Sequence, residues 1–327
     1  MKIINNLVLV ALMTGGLHLH AQTAGVEYTT ELQTNFRESN FVNLLRLNAE
    51  VPISKFVTVE ASTISIAKTR DERLVDDLQT FSNIEEDNLP LAIAICGANW
   101  QINDKHSLFM GILNMNEDYF TSPVTSLFTN SSCGIFPTIS ANYPIANYPV
   151  ASVGIHYLYD GGPIKVQASL FNGTGYNRFT GRNNVFRFCP KDDGVFGIAE
   201  VSYNHRGSYY SLGNALYCNE TISATPWFYT EQNISQKVAL LVSYSHAFSE
   251  DAECKDFIGL GTHCQLGKYQ LGAFTDYANF VGRNEFATEI TCKIPLSQKM
   301  HIQPTVHIIS SDSKLYNVAM MRVLLSL

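Results

Sequence analysis

Along residues 299–310, KMHIQPTVHIIS, apolar and polar side chains alternate: Met300, Ile302, Pro304, Val306 and Ile308 against His301, Gln303, Thr305 and His307. Successive side chains of an extended strand point to opposite faces, so this segment is predicted to be a two-faced strand. The rhythm returns along most of the chain. Residues 284–296 place Phe286, Ile290, Cys292 and Ile294 on one face and Glu285, Glu289, Thr291 and Lys293 on the other. Residues 41–51 set Leu45, Leu47 and Ala49 against Arg46, Asn48 and Glu50, and residues 164–170 set Ile164, Val166, Ala168 and Leu170 against Lys165, Gln167 and Ser169. The closing segment, 314–327, carries Ala319, Met321, Val323, Leu325 and Leu327 on the face opposite Arg322.

Clusters of Gly, Pro, Asn, Asp and Ser divide these segments into two sets of connections. The short ones fall at 51–55, 103–105, 159–163, 204–207, 233–237, 266–268 and 295–299. Between them lie 36–40, 68–88, 117–147, 172–194, 218–224, 249–253, 281–284 and 310–314, three of which are long. Strict alternation of short turns and longer loops is the mark of an antiparallel barrel inserted in an outer membrane from the periplasmic side. The fold class expected is therefore all-β, a transmembrane antiparallel barrel of about 16 strands. The apolar faces would meet lipid and the polar faces would line the lumen, because an Arg or Lys at mid-bilayer costs about 2–4 kcal/mol.

Composition sharpens this reading. Charged residues are only 16% of the chain, below the roughly 25% usual for soluble domains. No stretch after Ala21 is apolar for long enough to cross a bilayer as a helix, so membrane residence requires a barrel. The 16 tyrosines and 19 phenylalanines could supply interfacial girdles. The N-terminus, MKIINNLVLVALMTGGLHLHAQT, has one Lys, a short apolar run and small residues up to Ala21. It reads as a secretory signal over residues 1–21, removed after about Ala21, leaving residues 22–327 as a single barrel in the outer membrane of a Gram-negative cell. A net charge of −7, one more negative without Lys2, argues against nucleic acid as a partner. The amphipathic final strand is the kind of signal the barrel assembly machinery reads, although it ends on Leu327 where an aromatic is usual.

The candidate lumen wall is Arg46, Glu50, Glu60, Lys165, Gln167, Glu231, Glu285, Glu289, Lys293, His301, Gln303, His307 and Arg322. His301 and His307 stand about 20 Å apart on one strand, too far to share a metal ion. The seven cysteines show no CxxC spacing and no zinc pattern. They read as small apolar residues, or as including a disulfide among exported loops, for example Cys133 with Cys189. No Gly-x-Ser-x-Gly elbow occurs, and the DFIGLG segment lacks the following helix of a phosphate loop. No enzymatic activity, metal or cofactor is expected, although scattered Ser and His leave a triad in the wall open.

Several segments resemble, in order, the OprB-like carbohydrate-selective porins of bacterial outer membranes. These are SLFTNSSCGIFPTISANYP (126–144), PVASVGIHYLYDGGPIKVQASLFNGTG (149–175), WFYTEQNI (227–234), DFIGLGTHC (256–264), EFATEITCKIPLSQKMHIQPTVHII (285–309) and the Arg322 strand. The chain is shorter than that family's members, and Cys133 stands where they carry Phe. The resemblance implies passive diffusion of sugars and other small hydrophilic solutes, without cofactor or energy source. It also implies that the connection at 117–147 folds into the barrel and narrows it. Glu117, Asp118, Tyr119, Asn130, Tyr143 and Tyr148 are then the candidate constriction, since aromatic faces pack on sugar C–H surfaces and carboxylates and amides bond hydroxyls. Two other readings stay open: a non-channel barrel acting as adhesin, structural protein or subunit of a nutrient-uptake complex, and a soluble secreted β-protein such as a lectin.

Overall fold

The computed structural model describes residues 23–327. The expected export signal, residues 1–21, lies outside the described residues. The strands are β1 (Thr23–Thr34), β2 (Ser39–Pro52), β3 (Val57–Lys68), β4 (Leu89–Asn103), β5 (His106–Leu113), β6 (Ser152–Asp160), β7 (Ile164–Asn172) and β8 (Val195–His205). They continue as β9 (Ser208–Cys218), β10 (Ile222–Asn233), β11 (Val238–His246), β12 (Cys254–Leu266), β13 (Tyr269–Phe280), β14 (Arg283–Pro295), β15 (Met300–Ser311) and β16 (Lys314–Ser326). Each pairs antiparallel with the next, and β1 pairs with β16 in the register Glu31↔Arg322, which closes the barrel and leaves no sheet edge.

At one end the turns are two to four residues long. The β8–β9 turn is a two-residue hairpin with positive φ at both Arg206 (50°) and Gly207 (81°), the primed geometry whose twist matches that of the flanking strands. At the other end three connections are long, at 69–88, 114–151 and 173–194. The 218–224 connection shortens to three residues, because β9 and β10 run on in register as far as Cys218↔Ile222.

The exterior is apolar, with Met110, Ile155, Leu212, Leu260, Ile290 and Val306 exposed on outward positions. An apolar belt of this kind is a surface for lipid, not water. The soluble lectin-like reading required the apolar faces to pack against one another, and they face outward around a closed barrel instead.

Most of the core sits inside the barrel. The 114–151 loop enters the lumen and lays its aromatics on inward-facing wall aromatics. Phe120 packs between Phe136 and Trp227 at 4.9 and 5.0 Å, Phe136 stacks on Phe257 at 5.0 Å, and Phe128 meets Phe274 at 5.3 Å. The 69–88 loop, which joins β3 to β4 at the long-loop end as expected, also turns inward. Its Leu74, Val75 and Phe81 bury against Ala287, Ile309 and Val318 of β14, β15 and β16. A loop with that many apolar side chains gains more by covering a wall than by standing in water. The two loops bond to each other through Asn83 N–H to the Thr129 carbonyl (2.7 Å) and Ser131 N–H to the Thr80 carbonyl (3.1 Å).

All seven cysteines are free. Cys133 is buried with the loop aromatics inside the barrel, whereas Cys189 lies on the 173–194 loop, which folds over the outside. A Cys133–Cys189 bridge would have to cross the wall, so that pairing is corrected.

Candidate functional site

Inward-facing carboxylates hold the two lumen loops by their backbone. Glu289 on β14 accepts from Thr129 N–H (2.9 Å), Asn130 N–H (2.8 Å) and the Thr129 hydroxyl (3.0 Å), and His307 Nε2 lies 3.1 Å from that hydroxyl. Glu285 accepts from Leu78 and Gln79 N–H, both at 2.9 Å. Asp276 on β13 takes the Gln79 amide (2.9 Å) from one loop and the Asn130 amide (2.8 Å) from the other. Glu231 accepts from Val124 N–H (3.0 Å) and from the Ser122 hydroxyl. Gln303 donates to the Leu127 carbonyl (2.7 Å). Arg322 binds Glu31 through Nε (2.6 Å) and reaches Asn83 of the 69–88 loop (2.6 Å). Charge-assisted bonds to backbone donors are strong and directional, so the wall fixes where each loop sits.

These contacts correct part of the expected lining. Glu231, Glu285, Glu289, Gln303 and His307 do face inward, but each is buried beneath a loop and bonded to it, so they are loop anchors and not water-facing wall, whereas Arg322 both holds the 69–88 loop and borders the larger lumen cavity. Asp276, Glu31, Gln79 and Asn83 belong to the same set. Alternation by itself does not single them out, although a wall with four inward carboxylates on β10, β13 and β14 and few cations nearby calls for donors from elsewhere.

What stays open lies on the opposite wall. A cavity of about 570 Å³ on the long-loop side is lined by Leu44, Ile64, Asn83, Glu85, Asn116 and Tyr148 among others, and reaches Arg46 and Glu117. A second of about 310 Å³, on the short-turn side, is lined by Glu27, Asn48, Glu50, Glu60 and Ser62, and again by Arg46 and Glu117. A side pocket of about 120 Å³ adds Asn99, Asp118 and His156 to Glu60 and Glu117. The Arg46–Glu117 pair thus stands where the cavities meet. A register slip between β3 and β4, from Ser62↔Ile95 to Thr63↔Ile93, turns Ile95 inward beside it.

Of the expected constriction residues, Glu117 forms a two-pronged pair with Arg46, with both bonds at 2.8 Å. Asp118 follows at the side pocket, 3.7 Å from His156 Nε2, and its carbonyl accepts from Gln167 (2.9 Å). Burial first, then the neighbouring Glu117 and Glu60, pushes its carboxyl up to about 7. Tyr148 lines the larger cavity and donates to the Ile84 carbonyl at 3.0 Å. Tyr119 borders the same cavity, but its hydroxyl is tied to Ser169 (2.9 Å) at the wall. Asn130 anchors the loop through Asp276. Tyr143 is buried against Thr225 (2.9 Å) and Tyr217, so it anchors the loop and does not line the aperture.

Among the remaining wall candidates, Glu50 and Glu60 are direct cross-strand partners on the open side. Lys165 is paired with Asp160 at 3.1 Å by the short turn. Lys293 and His301 hold inward register positions in the short-turn half of β14 and β15, half-buried. The nearest approach to a Ser–His–carboxylate set is Ser169, His156 and Asp118, with Ser169 Oγ 2.8 Å from His156 Nδ1. Ser169 is buried under Tyr119, which closes off any approach to its hydroxyl.

No protein-family model matches the chain, and no curated protein matches its sequence. Its fold is that of solved porins. The high-pH structure of Pseudomonas putida OprB superposes with a TM-score of 0.79 at 12% identity, over 94% of each chain. The low-pH structure of the same protein gives 0.63 at 12% identity, over 94% of this chain and 92% of that one. The anion-selective porin of Comamonas acidovorans gives 0.61 at 9% identity, over 94% and 99%. At such identities the likeness establishes the closed 16-strand architecture, and side-chain chemistry has to be read from this chain itself.

Proposed function

We propose that this protein is an outer-membrane porin through which sugars and other small hydrophilic solutes diffuse passively. The short turns then face the periplasm and the long loops the exterior, with outer-membrane lipid around the belt and the barrel assembly machinery as partner during biogenesis. The observation that carries the reading is the pair of polar cavities meeting at Arg46–Glu117 inside a closed barrel. Sugar hydroxyls suit the mix of carboxylates and amides there, from Glu60, Glu117, Asn48, Asn83, Asn116 and Asn147, with the Tyr148 ring as an apolar surface. Selectivity in such a passage follows from diameter and lining groups, without cofactor or energy source.

Planar-bilayer recording on the purified barrel tests the channel, and a liposome-swelling series tests the solute class. Conductance steps with faster entry of sugars than of amino acids of similar size support the proposal. Equal entry rates remove the sugar preference and leave the pore.

The second reading, a non-channel barrel, draws on the aromatic core between the 114–151 loop and β10 to β13, which fills that half of the lumen. Absence of conductance steps together with retention of a partner protein by the outer loops would favour it.

A further inference from the structure

The 173–194 loop does not enter the barrel. Its Val185, 1% exposed, packs with Ile112 and Ala151 and against Ile93 and Val153, whose strand positions point outward near the long-loop end of β4, β5 and β6. Met110 and Ile155, next along the outward face of β5 and β6, are exposed belt residues. The loop is braced on itself: Val185 N–H bonds the Arg178 carbonyl (2.8 Å), Arg187 binds Asp193 and Asp192 (both 2.8 Å), and Cys189 N–H bonds Asn172 Oδ1 (2.9 Å). From this held platform Phe179, Phe186 and Phe188 stand 39%, 56% and 67% exposed. Four cations fall in the loop against two carboxylates, in a chain whose net charge is negative. Both carboxylates are taken by Arg187, with Arg182 3.4 Å from Asp192, so Arg178, Arg182 and Lys191 remain exposed beside the aromatics.

We propose that this loop is a docking platform for phosphate-bearing lipid of the outer leaflet, with Phe186 and Phe188 entering the acyl boundary and Arg178, Arg182 and Lys191 taking the phosphates. Continuity with the apolar belt selects lipid as the occupant, since Val185 seats the loop on the surface that lipid already covers. The charge selects phosphate. Exposed aromatics flanked by cations at the edge of such a belt match the headgroup boundary, where each cation strengthens binding to an anionic surface. The proposal rests on the outer-membrane reading, and not on conductance.

The test is native mass spectrometry of the whole mature barrel in detergent, titrated with bisphosphorylated lipid A and with its dephosphorylated form. Wild type retains the bisphosphorylated lipid preferentially. The Arg178→Gln/Arg182→Gln/Lys191→Gln variant loses that retention about tenfold or more. The Phe186→Ser/Phe188→Ser variant loses retention of both forms, while Arg178→Lys/Arg182→Lys and Lys299→Gln, a periplasmic-turn change, behave as wild type. Heat-shifted mobility on gels verifies that each variant is folded. Unchanged retention in the triple Gln variant, or equal retention of the dephosphorylated lipid by wild type, overturns the proposal. So does self-association that the Phe variant abolishes, because a second copy would then be the occupant. Conductance of the same samples separates the two readings: lipid retention without conductance steps sinks the porin proposal alone.

Discussion

Arg46 on β2 and Glu117 on the 114–151 loop meet in a two-pronged ion pair, both bonds 2.8 Å, at the point where the cavities of the two barrel halves touch. Each side chain is about a quarter exposed, at 23% and 26%, so the pair is wetted and its two members can be changed separately. Around it stand Glu27, Glu50, Glu60 and Asp118, which leaves Arg46 as the cation of that waist. In water a unit charge about 8 Å from a passing ion is worth about 0.5 kcal/mol, roughly a twofold change in ion ratio. Arg46→Ala is therefore expected to raise the cation-to-anion permeability ratio about twofold or more, and Glu117→Gln to lower it. Reversal potentials in a salt gradient at low ionic strength read both, where screening is weakest. Shifts of the same sign in the two variants would contradict this placement.

Glu289 closes the loop onto the wall. Removing its carboxylate leaves Thr129 and Asn130 N–H without acceptors in a buried site, and hydrogen bonds to a charged group are worth about 1.5–3 kcal/mol. Glu289→Ala should lower barrel stability by about 2 kcal/mol or more. It should also free the loop tip, giving larger and noisier single-channel steps than wild type. Gly272 offers an independent approach to the same seat, since a Cβ there would lie 2.8 Å from the Leu127 side chain. Gly272→Leu should give the same noisy steps with every carboxylate intact, and quiet wild-type steps from both variants would mean that the loop tip does not shape the passage.

Why Glu289 was legible as inward but not as an anchor is a matter of what alternation reports. A two-residue period states which face a side chain is on, and it assigned Arg46, Glu60, Gln167 and Glu289 alike to the inside. It carries nothing about what fills the inside. Glu60 faces a cavity and Glu289 a loop backbone because the loops lie against β7 to β16 and leave β2 to β4 open, a long-range packing outcome. The sequence did hold a signal for the second inward loop. Leu74, Val75, Leu78, Phe81 and Ile84 are too many apolar residues for a segment left in water, whereas the alternation of connections places 68–88 at the outer end without saying which way the loop folds. Turn positions were easier, because Gly, Asn and Asp mark them locally.

Cys133 is enclosed by loop aromatics inside the barrel, and burial together with Glu289, Asp276 and Glu231 pushes its thiol well up. A thiol of that kind is a poor nucleophile. In the folded barrel Cys133 is expected to resist maleimide labelling, whereas Cys96 on the exterior reacts with a lipid-soluble reagent. Denaturation should bring the count to all seven without reductant. A count that rises only after reduction would reveal a disulfide and overturn the assignment of free cysteines.

Asp118 gives the waist a pH dependence whose sign follows from its surroundings. Burial, Glu117 and Glu60 raise its carboxyl to about 7 from the ordinary 3.8, while His156 and Gln167 face it from β6 and β7. The folded barrel therefore holds this proton more tightly than the unfolded chain does. From roughly pH 4 to 7 the stability Asp118 contributes falls as pH rises, and it levels off above that window. Asp118→Asn, which cannot ionise, should gain stability relative to wild type at about pH 9 and not at about pH 4. The same ionisation adds a negative charge beside Glu60 and Glu117. Wild-type cation preference should then climb between about pH 5 and about pH 9, with a flatter profile in Asp118→Asn. Reversal potentials across that range decide the matter: parallel profiles for wild type and variant would place the titrating group elsewhere in the lumen.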